Sequence, residues 1–275
     1  MTDLNAIGCT TRPYGGLTYQ EAFHRIAVAG YRDVAVFSSR DGMPVDADST
    51  PAQVGAVRRA AADNGLRPSL LIGGTRLDLG LTAAVETYTR LIHNAGDLGV
   101  KFLLDCGVGD PAHFDDYFEL MRQCAPRAEA VGLELTMKPH GGISLTIEDL
   151  LRAHQHVAHP AFGICFDPGN IIYYTLGEHR PEPDAPRAVP VCNTFIVKDC
   201  VVRDGTPDVM VTAGDGLVDF PQVIRPFVSG GFAGPYYVEC VGGTEPAAID
   251  RDIAFTLGYV RGILQAHQCS SAPTD

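Results

Sequence analysis

The sequence predicts a single (β/α)8 TIM barrel over residues 1–275, and three observations indicate it. Eight short apolar runs alternate with helix-like segments along the chain. The length of 275 residues is close to that of typical barrels. Charged side chains follow the apolar runs at their C-terminal ends, where barrels carry their chemistry. The alternative is a doubly wound open sheet, but "CTTRPYGG" after the first run lacks the G-x-G-x-x-G turn that such sheets normally show.

The apolar runs are the predicted strands of the barrel. Each run is short and is bounded by glycine, proline or polar residues, which is typical of strands in a sheet with helices on its outside. In chain order the predicted strands cover residues 5–11, 31–37, 67–74, 100–109, 133–139, 162–170, 193–199 and 235–243.

The segments between the strands have helix signals at their ends. Segment 50–65 is the clearest, because Thr50 suits the N-cap, Pro51 the first helical position and Gly65 the stop. Other predicted helices cover residues 18–30, 81–99 and 146–160. Two stretches lack this character, and we expect both to be loops above the site: residues 177–190 and 201–216.

Composition excludes several classes of protein. The net charge of −12 and the pI near 5.1 disfavour nucleic acid as a partner. No apolar run approaches the length of a membrane span, and residues 1–16 lack the pattern of a signal peptide, so we expect a cytoplasmic protein without membrane association. Most of the eight cysteines lie in apolar runs and are predicted to be reduced; a disulfide framework suits smaller secreted domains.

Polar residues collect at the ends of consecutive predicted strands. If the barrel forms, these side chains meet at one rim, and their mixture of carboxylates, amines and an imidazole suits proton transfer or metal binding. The residues concerned are Asp105 on the fourth strand, Lys138 and His140 on the fifth, Asp167 and Asn170 on the sixth, Lys198 and Asp199 on the seventh, and Glu239 on the eighth.

Several of these residues also have a structural explanation. Asp167 precedes Pro-Gly and suits a turn, while Asp199 could cap the following loop. Glu239 in "YYVEC" would bury a bare carboxylate unless it is paired or coordinated, and Lys138 or Lys198 could form that pair.

Alternation along the strands sorts the directions of the side chains. Glu134 and Lys138 share one face of the fifth strand, so Glu134 lies deeper if Lys138 points into the barrel mouth. Asp199, one residue beyond Lys198, points the other way.

The chain carries the motifs "KPHGG", "FDPGN", "IVKD", "AGDGLVDF" and "YYVEC" in this order. With these motifs, residues 5–265 resemble the xylose isomerase-like TIM barrels of the sugar phosphate isomerase/epimerase superfamily. The resemblance implies a barrel enzyme. It does not identify a substrate, because members include epimerases, ketol isomerases, dehydratases and an endonuclease branch.

The resemblance also implies a metal site that this chain alters. Members typically hold one divalent metal through Glu, Asp, His and Glu on the fifth to eighth strands. Asp167 and Glu239 match two of these positions, whereas Lys138 and Ile196 stand where the other Glu and the His are expected. One expectation is a divalent metal (Mn, Mg, Co or Zn) on Asp167, Glu239 and His140.

The other expectation is that a lysine takes the place of the metal. Between two carboxylates Lys138 would stay protonated and could polarise a substrate carbonyl or stabilise an enediolate. The sequence thus predicts Lys138, Glu239, His140 and Lys198 as catalytic, with Glu239 moving the proton, and Asn170, Asp199 and Asp105 as substrate-binding.

The leading functional hypothesis is an enzyme that isomerises, epimerises or dehydrates a small carbohydrate. A non-catalytic sugar-binding or partner subunit with a degenerate metal site is the alternative. The endonuclease branch is disfavoured, because it uses several histidine ligands and only His140 lies convincingly at a strand end. Barrels of this superfamily often self-associate, so a homo-oligomer is also expected.

Overall fold

The computed structural model describes residues 6–270, and within them eight parallel strands close into a barrel. Each strand pairs with the next along the chain, and the last pairs with the first. The predicted (β/α)8 fold is therefore confirmed. The strands are β1 (Ile7–Thr10), β2 (Asp33–Val36), β3 (Arg67–Ile72), β4 (Phe102–Asp105), β5 (Glu134–Met137), β6 (Phe162–Phe166), β7 (Cys192–Val197) and β8 (Tyr236–Val238).

Helices follow the strands and cover the outside of the barrel. They are α1 (Tyr19–Val28), α2 (Pro51–Asp63), α3 (Leu81–Leu98), α4 (Phe114–Ala130), α5 (Ile147–Val157), α6 (Pro168–Tyr174), α7 (Ala185–Ala188), α8 (Phe220–Ser229) and α9 (Pro246–Ser270). Short 3-10 turns add Arg12–Tyr14, Leu77–Leu79, Pro111–His113 and Val189–Val191.

The predicted helix starts are confirmed by their caps. Thr18 and Thr50 each accept a hydrogen bond from the backbone amide of the third helical residue, and the side chains of Glu21 and Gln53 accept one from the backbone amide of the cap residue. These capping boxes satisfy amide groups that a helix end otherwise leaves unpaired.

Two layers of core hold the barrel. The larger layer lies between the strands and the amphipathic helices. A smaller cluster fills the interior of the barrel: Ala35, Phe37, Leu70, Phe102, Leu104, Cys165, Ile196 and Tyr237. Ile196 is fully buried in this inner cluster. Because the inner cluster is apolar, it forms a closed floor beneath the rim where the strands end.

The irregular stretches are more ordered than expected. Residues 177–190 include α7, and residues 201–216 include an antiparallel hairpin of Val201–Arg203 with Thr206–Asp208. The predicted strand 162–170 ends at Phe166, because Asp167 caps α6 and turns the chain into a helix.

Three further features concern the cysteines, membrane-spanning helices and the ends of the chain. The seven cysteines whose side chains are described are free thiols. No helix among the described residues is long and apolar enough to cross a membrane. Residues 1–5 and 271–275 of the predicted barrel domain, including the first residue of the first predicted strand, lie outside the described residues.

Candidate active site

Four charged residues lie one position beyond the ends of β5, β6, β7 and β8. We call Lys138, Asp167, Lys198 and Glu239 the charged quartet. All four are at most 3% exposed. The barrel therefore brings these four rim residues of the sequence analysis together at one buried place.

Each ammonium of the quartet bridges both carboxylates. Lys138 Nζ lies 2.7 Å from Glu239 Oε2 and 3.4 Å from Asp167 Oδ2. Lys198 Nζ lies 2.6 Å from Glu239 Oε1 and 3.2 Å from Asp167 Oδ2. The two positive and two negative charges cancel, which makes burial of four ions tolerable.

Mutual attraction favours the charged forms of Lys138, Lys198 and Glu239. Burial acts to lower the pKa of Lys138, but Glu239 and Asp167 outweigh it and raise that pKa well above the usual range. The pKa of Lys198 is raised by the same two carboxylates against burial. Burial acts to raise the pKa of Glu239, but the two ammoniums hold it well below its usual range. Both lysines are therefore cations and Glu239 an anion at neutral pH.

Asn170 supports the quartet. Its side-chain amide donates to the carbonyl of Pro139 at 2.7 Å, and its Oδ1 accepts from Lys198 Nζ at 3.0 Å. Its backbone amide donates to Asp167 Oδ1 at 2.9 Å. Asn170 thus orients Lys198, and its predicted contact with substrate stays a prediction.

A close approach of backbones explains the glycine in "FDPGN". A Cβ on Gly169 would lie 2.6 Å from the carbonyl oxygen of Lys198 and 2.7 Å from its Cγ. Only glycine lets α6 lie this near to the end of β7. The motif therefore positions Lys198 as well as Asp167.

The turn after β5 presents His140. Gly141 and Gly142 have φ values of 78° and 54°, which glycine adopts readily. The backbone amide of His140 donates to the carbonyl of Ser144 at 3.0 Å and to its Oγ at 3.1 Å. The His140 ring is exposed and lies 4.8 Å from the ring of Tyr174. The two glycines thus form the turn that places the imidazole at the rim.

The environment of His140 keeps the imidazole neutral. Partial burial of the ring lowers its pKa, and the ammoniums of Lys138 and Lys198 lower it further. A neutral imidazole can accept a proton at pH 7, whereas the carboxylate of Glu239 is a weak base there.

Asp105 and Asp199 do not line the cavity described below, and the carboxylates of both accept hydrogen bonds from backbone amides. Asp105 Oδ1 accepts from the amide of Gly107 at 2.7 Å and from the hydroxyl of Tyr117 at 3.0 Å, while burial raises the pKa of Asp105 to about 7. Asp199 accepts four backbone amide hydrogen bonds, from Cys200, Gly214, Gly216 and Val218. Both aspartates therefore have a structural role, and the contact of either with substrate stays a prediction.

A cavity of about 560 Å³ opens above the quartet. Lys138, Glu239 and His140 line it, and the size suits a small molecule. Most of the other lining residues come from the loops after β1, β2 and β3, which the motifs did not indicate; Arg12, Phe37, Met43, Asp46, Gly74 and Arg76 are among them. None of the lining residues belongs to 177–190 or 201–216, so these segments do not line this cavity, and their predicted place over the site stays a prediction.

The quartet does not fit the expected metal site on Asp167, Glu239 and His140. Both oxygens of Glu239 already accept a hydrogen bond from an ammonium, and both ammoniums also face Asp167. A dication placed there would be repelled by two buried positive charges. Among the side chains that the structure describes, residues 6–267, no group of three His, Cys, Asp or Glu is arranged to hold a metal ion.

Comparisons with known proteins agree with this fold. The sequence profile described as xylose isomerase-like TIM barrel matches residues 23–258. A solved xylose isomerase-like TIM barrel protein from Mycobacterium smegmatis, in complex with magnesium, superposes with a TM-score of 0.77 at 18% identity over 96% of this chain and 97% of that one. A D-psicose 3-epimerase from Clostridium cellulolyticum H10, solved with D-tagatose, gives 0.74 at 15% identity over 94% and 99%.

One curated relative shares more sequence over a shorter segment. The chain is 31% identical over 140 residues to a 3-oxo-isoapionate decarboxylase from Pectobacterium atrosepticum. The match spans about half of both proteins, 50% of this chain and 46% of the relative.

Proposed function

The chain belongs to the xylose isomerase-like TIM barrel family, and on this premise we propose an enzyme that acts on a small polyhydroxylated carbonyl compound through an enediolate-type intermediate. The observation that carries the proposal is the charged quartet, of which Lys138 and Glu239 line the cavity. Lys138 and Lys198 are held as cations on Glu239, and Lys138 faces the cavity.

Lys138 stabilises the developing negative charge in this proposal. A preorganised ammonium beside a carbonyl oxygen becomes more favourable as that oxygen turns into an enediolate oxyanion. The raised pKa of Lys138 argues for this electrostatic role and against a Schiff base, which requires the neutral amine. The ring of Phe37, with its centroid 5.9 Å from Lys138 Nζ, supports the cation from another side.

His140 is the proposed proton-transfer group for isomerisation or epimerisation. These reactions remove a proton from carbon next to the carbonyl, so they need a base at the cavity. Glu239 is the residue that the sequence predicts for this role. The low pKa of Glu239 and its two bound ammoniums make it a poor base, whereas the lowered pKa of His140 leaves a neutral imidazole there.

Decarboxylation of a 3-oxo sugar acid is the second candidate. It is favoured by the curated relative, which is a 3-oxo-isoapionate decarboxylase. It is also favoured because both oxygens of Glu239 accept hydrogen bonds from ammoniums, which leaves Glu239 a poor base. The bond between the carboxylate carbon and its neighbour breaks, and its electron pair enters the enediolate as CO2 leaves. A proton from water then adds to that neighbouring carbon. This route reaches the same intermediate without a base.

Reaction in deuterated water tests the proposal. The protein is incubated with small ketoses and with 3-oxo sugar acids, and NMR follows deuterium at the carbon beside the carbonyl and release of CO2. We expect one of the two substrate classes to react and Lys138→Met to lower the rate by about 100-fold or more. Lys101→Met is the matched control, because Lys101 is exposed.

The same assay separates the candidates. His140→Gln is expected to abolish isomerisation or epimerisation but to leave cleavage of the carboxylate largely intact. Binding of the compounds without exchange or CO2 release would contradict an enzyme and favour the non-catalytic sugar-binding alternative. Full activity in Lys138→Met would contradict the role of the quartet.

A further inference from the structure

Arg12 differs from the other charged side chains of the cavity. Asp48, Arg76, Lys138 and Glu239 each have an ion-pair partner, and Asp46 accepts hydrogen bonds from its own loop. Within the described part of the chain, no hydrogen-bond acceptor or carboxylate pairs with the guanidinium of Arg12. It is exposed and lines the cavity.

The backbone that carries Arg12 is fixed on the rim. Cys9 of β1 pairs with Val238 of β8, so the chain leaves β1 beside the strand that supplies Glu239. The amide of Arg12 donates to Thr10 Oγ1 at 3.3 Å. Thr11 Oγ1 donates to the carbonyl of Phe37 at 3.1 Å and accepts from the amide of Phe37 at 2.9 Å.

The far end of the same turn is also anchored. Tyr14 is buried, and its hydroxyl donates to Asp250 Oδ1 at 2.6 Å. The backbone that carries the unpaired guanidinium is therefore held at both ends of the turn. A backbone fixed before binding lowers the entropy cost of ordering the turn around a ligand.

We propose that Arg12 binds an anionic group of the substrate, a carboxylate or a phosphate, while Lys138 meets its carbonyl oxygen. The quartet is neutral as a whole and the protein carries −12, so neither attracts an anion into the cavity. A guanidinium without a competing carboxylate supplies that attraction, and its planar fork matches both anions. The inference rests on the proposed function and narrows its substrate to a sugar acid or a sugar phosphate.

Binding measurements test this without relying on turnover. Isothermal titration of the wild-type protein with erythronate, erythritol 4-phosphate and erythritol compares a carboxylate, a phosphate and an uncharged ligand of one skeleton. We expect one of the two anions to bind at least about tenfold more tightly than erythritol, and the tighter one identifies the anionic group. Arg12→Gln is expected to remove that preference and to leave erythritol binding unchanged, while Arg12→Lys retains part of it.

Arg76→Gln is the control, because Arg76 lines the same cavity but is paired with Asp78 through two hydrogen bonds. We expect it to keep the preference for the anion. Equal affinity of wild-type protein for all three ligands, or an equal loss in both arginine variants, would overturn the proposal. The deuterium assay reports separately on the proposed function: anion preference without turnover would contradict the enzyme but leave the role of Arg12 standing.

Discussion

Lys138 Nζ donates to Glu239 Oε2 over 2.7 Å, and both side chains are at most 3% exposed. This ion pair is the structural explanation that the sequence suggests for Glu239. It is also compatible with Lys138 as a substitute for a metal, because both side chains line the cavity.

Replacing Glu239 by glutamine tests the balance of the quartet. The change leaves two buried ammoniums facing Asp167 alone, and an uncompensated buried charge costs about 3–5 kcal/mol of folding free energy. We expect a loss of this order in urea denaturation and loss of activity in the deuterium assay. Glu134→Gln is the control, because Glu134 is partly exposed and lies 3.6 Å from Lys101; it should change stability by less than about 1 kcal/mol. Equal stabilities of the two variants would show that the quartet is not coupled as described.

Activity is expected not to depend on a divalent metal. The ammoniums of Lys138 and Lys198 pair with both carboxylates on which the metal is predicted, so a dication there would meet two buried positive charges. Protein purified without chelator should contain less than about a tenth of an equivalent of Mn, Mg, Co or Zn by mass spectrometry, since two buried ammoniums repel a dication. EDTA should leave activity unchanged. Near-stoichiometric metal whose removal abolishes activity would contradict this expectation.

Asp105 should make stability depend on pH. Burial raises its folded pKa to about 7, whereas an unfolded aspartate titrates near about 3.9. Between these values the folded state binds more protons, so this group makes the free energy of unfolding fall as pH rises from about 4 to 7. The slope reaches at most about 1.4 kcal/mol per pH unit.

Urea denaturation across this pH range measures the effect. Asp105→Asn keeps an acceptor for Gly107 and Tyr117 but has no proton to lose, so its curve should lack this component. The exposed Asp115 provides the control variant Asp115→Asn, which should follow the wild-type curve. Parallel curves for wild type and Asp105→Asn would assign the pH dependence to other groups.

Strand patterns predict the barrel and the members of the quartet. The ends of parallel strands converge on one rim, and this does not depend on the sequences of the outer helices. Alternation also placed Asp199 away from the barrel mouth, and its four backbone hydrogen bonds agree. The contacts of Lys198 with both Glu239 and Asn170 could not be predicted. They depend on the curvature of the rim, which brings residues distant in sequence to hydrogen-bonding distance.

The cavity walls escaped sequence analysis for a different reason. The loops after β2 and β3 carry no periodic pattern and no motif of known chemistry, and their positions follow from how the chain packs over the barrel. Arg12 was overlooked because "TRPYGG" indicates a turn, and a turn alone does not reveal that the arginine lacks a partner.

Gly169→Ala provides a test of how the backbone positions Lys198. The new methyl group would meet the Lys198 carbonyl oxygen at 2.6 Å, so α6 and the end of β7 must separate. Overpacking of this kind lowers the free energy of unfolding by about 1–3 kcal/mol. The ammonium of Lys198 should also move out of hydrogen-bonding position beside Glu239. We expect lower stability in urea denaturation together with reduced turnover. Gly258→Ala in α9 is the matched control, because a Cβ there has no neighbour within 4 Å among the described residues. Alanine should be neutral there or stabilise the helix by up to about 1 kcal/mol. A Gly169→Ala variant as stable and active as wild type would show that Lys198 does not depend on this close approach.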